Sequence, residues 1–413
     1  MSRPGQCRRV VNGVASALAA ALLSAGCPAG LLLPDSGTTE LASSTEWAVI
    51  LYMPASAVLD AQATADLEAI ESADLEDSGV RVLALVDRAG GDPASGWNGT
   101  RLYEIPRMIP VAVQELGIGP GAPDVSLDMS DPRTLRALLG FVEERYRPRF
   151  RALILWGEGR GYHHGEFLSK ALTGRHVDLL GLDMSFGATV EVAWEIRGAA
   201  DLLVASQGVV PVAGWDYEAA LRRFTASDRT REAFAKAIVT SYAESRGGAP
   251  HATISSIRLD RIEPVVDALN AFSDAVSAEI TNPGTREAVR ASVFYDVEDF
   301  YATPGDLAID LSDLSAVVSL GFGIAEGEAA RIEQAVKEAV DRNHRGSADP
   351  RASGISVHLI PLRPDGSAAA SHHENYLNRS GETASLSFVS HSTWPPTLPS
   401  GPGLLYRLFY EPM

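Results

Sequence analysis

The sequence predicts an α/β fold: a mainly parallel sheet with helices on both faces, then a smaller and less regular α/β region. Two observations carry this. Short apolar runs recur without in/out alternation, as in strands buried on both faces. Helix-length patterns separate them, as parallel crossovers require. Trp47 to Tyr52 (WAVILY) reads as the first such strand, and residues 60–76 as a helix with Leu67 and Ile70 on its apolar side. Val80 to Val86 (VRVLALV) and Arg101 to Ile105 read as the second and third strands. Asp131-Pro132 has the form of an N-cap followed by proline at the first helical position, opening a helix to Tyr146. Ala152 to Trp156 (ALILW), Val177 to Leu182 (VDLLGL) and Asp201 to Ala205 (DLLVA) continue the strand series, with a helix over 188–196. Beyond 215 the pattern predicts helices near 229–245, 261–280 and 327–342. Strands are expected near 252–258 and 354–359, and the run Leu404 to Tyr410 as a closing strand.

The first 27 residues read as an export signal. Arg3, Arg8 and Arg9 form a basic start, and Val10 to Leu23 an apolar run too short to span a bilayer as a helix. The run ends in Leu22-Leu23-Ser24-Ala25-Gly26-Cys27, which resembles a bacterial lipobox, with Ser24 where that pattern prefers Leu. An acylated Cys27 would become the mature N-terminus and hold the chain on a membrane surface of the cell envelope. Residues 28–45 read as a tether. The expected organisation is therefore a signal peptide over 1–26, a tether over 27–45, an α/β domain over 46–250 and an α/β extension over 251–413.

Charge excludes one class of partner. The formal net charge of the 413 residues is −18. Such a chain repels phosphate backbones, so nucleic acid is not expected as a partner. The charges read as scattered, with no acidic tail or basic patch. The two cysteines, Cys7 and Cys27, both lie in the leader or at its end. The folded body therefore holds no thiol.

In an open parallel sheet, function gathers at the carboxyl ends of the strands. Two strands here end in unusual loops. One reads Leu153-Ile154-Leu155-Trp156-Gly157-Glu158-Gly159-Arg160-Gly161-Tyr162. The other reads Leu179-Leu180-Gly181-Leu182-Asp183-Met184-Ser185-Phe186, with Val190-Glu191-Val192-Ala193-Trp194-Glu195 after it. In these motifs, in Ala199 to Ser206 and in Gly214-Trp215-Asp216-Tyr217, the chain resembles the clostripain family of cysteine peptidases. Weaker likeness runs through 306–313, 354–359 and the Trp394 region. The resemblance implies a caspase-like fold and a Cys–His dyad. The family's histidine falls on Glu158 and its cysteine on Ser185.

Both substitutions bear on chemistry. An imidazole with a pKa near about 6.5 helps form a thiolate whose unperturbed pKa is only about 8.5. A serine hydroxyl is far less acidic, and a carboxylate of pKa about 4.3 is a weak base for it. The resemblance further implies that Asp183 binds a basic side chain of a peptide and that the Gly159 N–H helps hold an oxyanion. The residues themselves leave plainer roles open: Ser185 or Asp183 as a cap on the following helix, and Gly159 as a turn residue. His163 and His164, just past the glycine loop, are either exposed loop residues or a replacement base. His372-His373-Glu374 lacks a further ligand at fixed spacing and reads as a solvated loop, so no metal or other cofactor is expected.

Three readings of function follow. The first is a surface lipoprotein that keeps the peptidase fold and a cleft for peptides with basic residues, without turnover. The second is an active serine hydrolase using Ser185 with His163 or His164. The third is a structural envelope lipoprotein whose cleft is filled. Mass analysis of the mature N-terminus tests the anchor. Acylated Cys27 is expected there, and an unmodified residue other than Cys27 would rule it out.

Overall fold

The computed structural model describes residues 45–55, 58–88, 97–105, 109–118, 126–159, 163–303, 306–359, 376, 386–395 and 403–409. These belong to one compact unit, Ser43–Met413. The leader with Cys27, the tether up to residue 44, Arg160 and His372-His373-Glu374 lie outside the described residues.

The strands are β1 (Trp47–Ala55), β2 (Val80–Arg88), β3 (Gly99–Ile105), β4 (Ile109–Val111), β5 (Phe150–Trp156), β6 (Val177–Asp183), β7 (Ala200–Ala205), β8 (Ile254–Arg258), β9 (Asp299–Thr303), β10 (Asp306–Asp310), β11 (Val340–His344) and β12 (Ser356–Leu359). The helices are α1 (Asp60–Glu71), α2 (Pro132–Tyr146), α3 (His163–Ala171), α4 (Val190–Ile196), α5 (Tyr217–Thr225), α6 (Arg231–Arg246), α7 (Ile262–Glu279), α8 (Pro283–Tyr295), α9 (Leu311–Phe322), α10 (Glu326–Ala339), α11 (Ser387–His391) and α12 (Leu404–Phe409). A nine-stranded sheet runs β11-β8-β7-β6-β5-β1-β2-β3-β4, and a three-stranded sheet runs β12-β10-β9. The run β2-β1-β5-β6-β7 is parallel throughout. The pairs at its flanks, β2–β3, β3–β4, β7–β8 and β8–β11, are antiparallel.

The unbroken apolar runs have a direct cause. Ala48, Ile50 and Tyr52 of β1 enter one core, with Leu83, Leu153 and Leu180. Trp47, Val49, Leu51 and Met53 enter the other, with Val82, Ile154 and Leu202. Alternate residues thus bury on opposite faces, and no position on the strand is left for a polar side chain. Helices α2, α3, α4 and α7 cover the first face, and α1, α5 and α6 the second. The crossover from β1 to β2 runs through α1 and that from β5 to β6 through α3, on opposite faces. The carboxyl ends of β1 and β5 therefore form a topological switch point, where such sheets open a crevice.

The predicted N-cap holds: Asp131 accepts from the Arg133 N–H at 2.9 Å, and Pro132 opens α2. Helix α1 stops at Glu71, short of 76, where Ser72 closes it and Asp74 takes a positive φ. The closing strand expected at 404–410 is a helix. Leu404, Leu405, Leu408 and Phe409 are buried at helical spacing, and the backbone N–H groups of Leu404 and Leu405 bond to Thr393 and Trp394. Helices α3, α5, α8, α9 and α11 were not predicted. Strands β8 and β11 put residues beyond 250 into the same sheet as β1 to β7. The C-terminal region is tied to the loop after β7. Asp310 caps α9 and also accepts from Gln207 Nε2 at 3.0 Å and Ser353 Oγ at 2.8 Å, while Gln207 Oε1 takes the Gly354 N–H at 2.7 Å.

A buried ion pair braces the carboxyl edge. Arg88, at the end of β2, forms a two-pronged pair with Asp60, at the start of α1, with Nη2 to Oδ2 at 2.7 Å and a second contact from Nε to Oδ1. The side chains are 5% and 3% exposed. Arg88→Ala should cost roughly 3 kcal/mol by urea denaturation, because Asp60 is left buried and charged. Arg88→Met combined with Asp60→Asn should recover much of that loss. Equal stability of the single variant and the wild type would remove this role.

Candidate functional site

The site is built by the register of two strands. In the β5–β6 ladder Trp156 stands opposite Asp183, and the Gly157 N–H reaches the Asp183 carbonyl at 3.3 Å. Glu158 and Ser185 each follow two residues later, so the pairing carries them to the same level at the carboxyl edge. The loops then touch. A Cβ at Gly159 would lie 1.8 Å from the Ser185 carbonyl oxygen, so only glycine fits this approach.

Ser185 is half-buried. Its hydroxyl accepts from the Val210 N–H at 3.1 Å, and among the described residues it makes no hydrogen bond to a histidine. It does not cap α4. Thr189 does, accepting from the Val192 N–H at 3.3 Å, because α4 starts at Val190, five residues beyond Ser185. The turn between is tight. Phe186 takes a positive φ of 60°, its N–H bonds to the Gly208 carbonyl, and its ring packs with Phe300, Ala308 and Ala352. Tertiary packing thus holds a conformation that costs a non-glycine residue energy locally.

Glu158 is exposed at the rim. His163 and His164 are not loop residues. They open α3, and His164 is half-buried beside the cleft and already engaged. The cleft has a volume of about 520 Å³. Tyr52, Pro54, Met129, Leu155, Trp156 and Phe167 form apolar walls, and Glu158, Glu166, Lys170 and His164 supply the polar groups. Lys170 pairs with Glu166 at 2.5 Å. Ser185 lies outside this cleft's lining, one residue beyond Met184, and being half-buried it does not show the full burial expected of a structural lipoprotein.

Asp183 differs from both expectations. It neither caps the next helix nor opens to solvent, being 3% exposed. Its Oδ2 accepts from the Tyr217 hydroxyl at 2.8 Å and the Trp215 N–H at 3.2 Å, and its Oδ1 is buried without a partner. Burial pushes its pKa up to about 7 against the hydrogen bonds from Tyr217 and Trp215, with Asp66 adding to the rise and Arg246 opposing it. Asp66 is raised to about 6 by burial, although Gln62 and Trp156 donate to it; the Trp156 indole N–H does so at 2.7 Å. Two near-neutral carboxyls therefore lie under the site. Arg246 clamps the loop above them, donating to the carbonyls of Ala213 at 2.9 Å and Gly214 at 3.1 Å. Gly181, in mid-strand, leaves room for the Trp215 ring; a Cβ there would meet it at 2.9 Å.

The sequence reading missed Val210, Arg246 and Asp66. The first two act from a loop and a helix end that no local pattern marks, and Asp66 sits on a helix among other acids. Trp215 and Tyr217 lay within a block that the resemblance had marked. Among the described residues no group of three or more His, Cys, Asp or Glu is placed to hold a metal ion.

A carboxyl whose folded pKa stands above its unfolded value adds stability that is complete below the unfolded value and is lost as pH rises through the folded one. For Asp183 that window runs from 3.8 to about 7. The melting temperature of the wild type should therefore fall more steeply between pH 5 and 8 than that of Asp183→Asn, which keeps an acceptor for Tyr217. Parallel slopes would place the titration elsewhere.

Residues 164–342 match the model of the clostripain family. The stretch contains Asp183 and Ser185, and Glu158 lies just before it. Among solved structures, an inactive zymogen C11 protease from Parabacteroides distasonis matches with a TM-score of 0.62 at 18% identity, over 81% of this chain and 96% of its own. A secreted C11 cysteine protease from Bacteroides thetaiotaomicron, iotapain, matches at 0.58 and 13%, over 80% and 97%. A secreted C11 cysteine protease from the same organism, in complex with an irreversible peptide inhibitor, matches at 0.58 and 15%, over 81% and 98%. No curated protein matches the chain. At these identities the structural likeness shows a shared caspase-like α/β fold. The clostripain-family match runs from α3 into β11, residues 164–342, and it is that stretch which is similar in sequence to the family.

Proposed function

We propose that this chain is an exported, envelope-tethered clostripain homologue that binds peptides without cleaving them. The carrying observation is the pair of strand ends that meets at Glu158, Gly159 and Ser185. The family's dyad would stand there, and this chain offers a carboxylate and a hydroxyl in its place. The hydroxyl already accepts a backbone N–H, and among the described residues no imidazole bonds to it. No thiol exists beyond Cys7 and Cys27. The description of a Bacteroides relative as secreted supports export.

The open cleft at the switch point supports ligand binding. Its apolar walls suit the stem of a long side chain, and Glu158 at the rim suits a cationic head. With Asp183 buried, Glu158 is the carboxylate that carries a preference for lysine or arginine. An active serine hydrolase has less support, since nothing described activates Ser185 as a nucleophile.

Purified protein is expected to give no hydrolysis of peptides with Arg or Lys at the cleaved position, in wild type and Ser185→Ala alike. Glu158→Gln should weaken binding of such a peptide several-fold by fluorescence anisotropy and leave a neutral peptide unchanged. Turnover in the wild type that disappears in Ser185→Ala would overturn the inactive reading.

A further inference from the structure

The parallel strands give the molecule two unlike edges. The carboxyl edge holds the cleft. The opposite edge is where Val80, Trp47, Phe150, Val177 and Ala200 begin their strands; exposed Asp74, Glu76 and Asp77 stand at its β2 side, and arginines gather at its β5 side. The link between α2 and β5 reads Arg145-Tyr146-Arg147-Pro148-Arg149-Phe150-Arg151, with four arginines and no acid in a chain of net charge −18. Arg145, Arg147 and Arg149 are exposed. Arg145 lies 3.6 Å from Glu115, whereas Arg147 and Arg149 make no ion pair among the described residues. Arg149 lies over the Phe150 ring at 4.8 Å.

Beside this link is a cavity of about 550 Å³ lined by Arg136, Arg151, Arg175, His176, Gly174 and Glu143. Three guanidinium groups thus share one carboxylate, while Arg136 also donates to the carbonyls of Ala171 and Thr173 and Arg151 to that of His176. Glu143 pairs with Arg175 and lies 4.0 Å from Arg151. Of the neighbouring acids, Asp178 accepts the Arg151 backbone N–H, and Asp201 is held by Arg231 and His176. The Nε groups of Arg151 and Arg175 are buried with no hydrogen-bond partner among the described residues. The parts of Arg151 and Arg175 that reach solvent, in a cavity where guanidinium groups outnumber carboxylates, suit a phosphate-type anion. The scatter of charge read from the sequence holds for the whole chain and fails at this edge, where folding brings Arg136 and Arg175 to the 145–151 link.

The point of chain entry indicates which phosphate. The polypeptide enters the described body at Thr45, whose carbonyl accepts the Arg149 N–H at 3.2 Å, and the Glu46 carbonyl accepts that of Phe150 at 2.9 Å. Everything N-terminal to residue 45, the apolar run and Cys27 included, therefore joins the body beside Arg149. We propose that this arginine edge docks on the phosphate headgroups of an anionic bilayer, with the exposed arginines on the surface and the cavity taking a headgroup phosphate. The peptide cleft, at the opposite edge, then points away from the membrane. The contact is electrostatic and does not require that Cys27 be acylated.

Flotation of the purified full chain with phosphatidylglycerol and phosphatidylcholine vesicles at low salt tests this. Stronger binding to phosphatidylglycerol is expected, lost at high salt. Each exposed arginine removed should cost about 5-fold in affinity, so Arg147→Gln with Arg149→Gln should lose about 20-fold. Arg345→Gln with Arg351→Gln, exposed beyond the His344 end of β11 at the carboxyl edge, should bind as the wild type does, and melting curves check that all variants fold. Equal binding to both lipids, unchanged binding by the Arg147/Arg149 variant or an equal loss in the Arg345/Arg351 variant would overturn the proposal. So would thermal stabilisation by inorganic phosphate, abolished in Arg151→Gln with Arg175→Gln, in a protein that ignores the vesicles, because the cavity would then serve a free anion.

Discussion

Burial of both faces of the five parallel strands is the constraint from which the rest follows. With Ala48 and Ile50 in one core and Trp47 and Val49 in the other, β1 has no wet side, and neither do its neighbours. Helices must therefore cover both faces. Because α1 and α3 lie on opposite faces, the carboxyl ends of β1 and β5 part. The cleft between Pro54 and Trp156 is the outcome of that parting. The same parallelism makes the two edges chemically independent, so one can carry a cleft and the other a cluster of arginines.

At the carboxyl edge, hydrogen-bond register does what a catalytic dyad would need. Trp156 opposite Asp183 fixes Glu158 beside Ser185, and Gly159 lets the two loops close to backbone contact. The register thus brings two strand ends together, and a carboxylate and a hydroxyl occupy them.

Beneath the site, polar groups are organised for shape. Asp183 holds Trp215 and Tyr217, Asp66 receives the Trp156 indole, and Arg246 clamps the 213–214 loop. Desolvation opposes ionisation of both acids, which sets their titration near neutrality. The loop after β7 is held a second time from behind by Gln207 and Asp310. The C-terminal region, less regular in sequence, thus acts as the support for the turn that carries Ser185.

Much of this was legible in the sequence because it depends on local pattern. Apolar runs marked the central strands, Asp131-Pro132 marked the start of α2, and the two motifs marked the strand ends that meet. The elements that were missed depend on context. Leu404 to Phe409 has enough apolar residues for either a strand or a helix, and the packing of Leu404 and Leu408 on one side decided for the helix. Sequence by itself determined which residues stand at positions 158 and 185 and that no cysteine follows Cys27, since these are matters of composition and order. Only the tertiary structure decided that Asp183 is sealed beneath Trp215, that Ser185 accepts from Val210, and that Arg136, Arg151 and Arg175 share a cavity. Each of those facts joins segments distant along the chain, and no local periodicity encodes such a meeting.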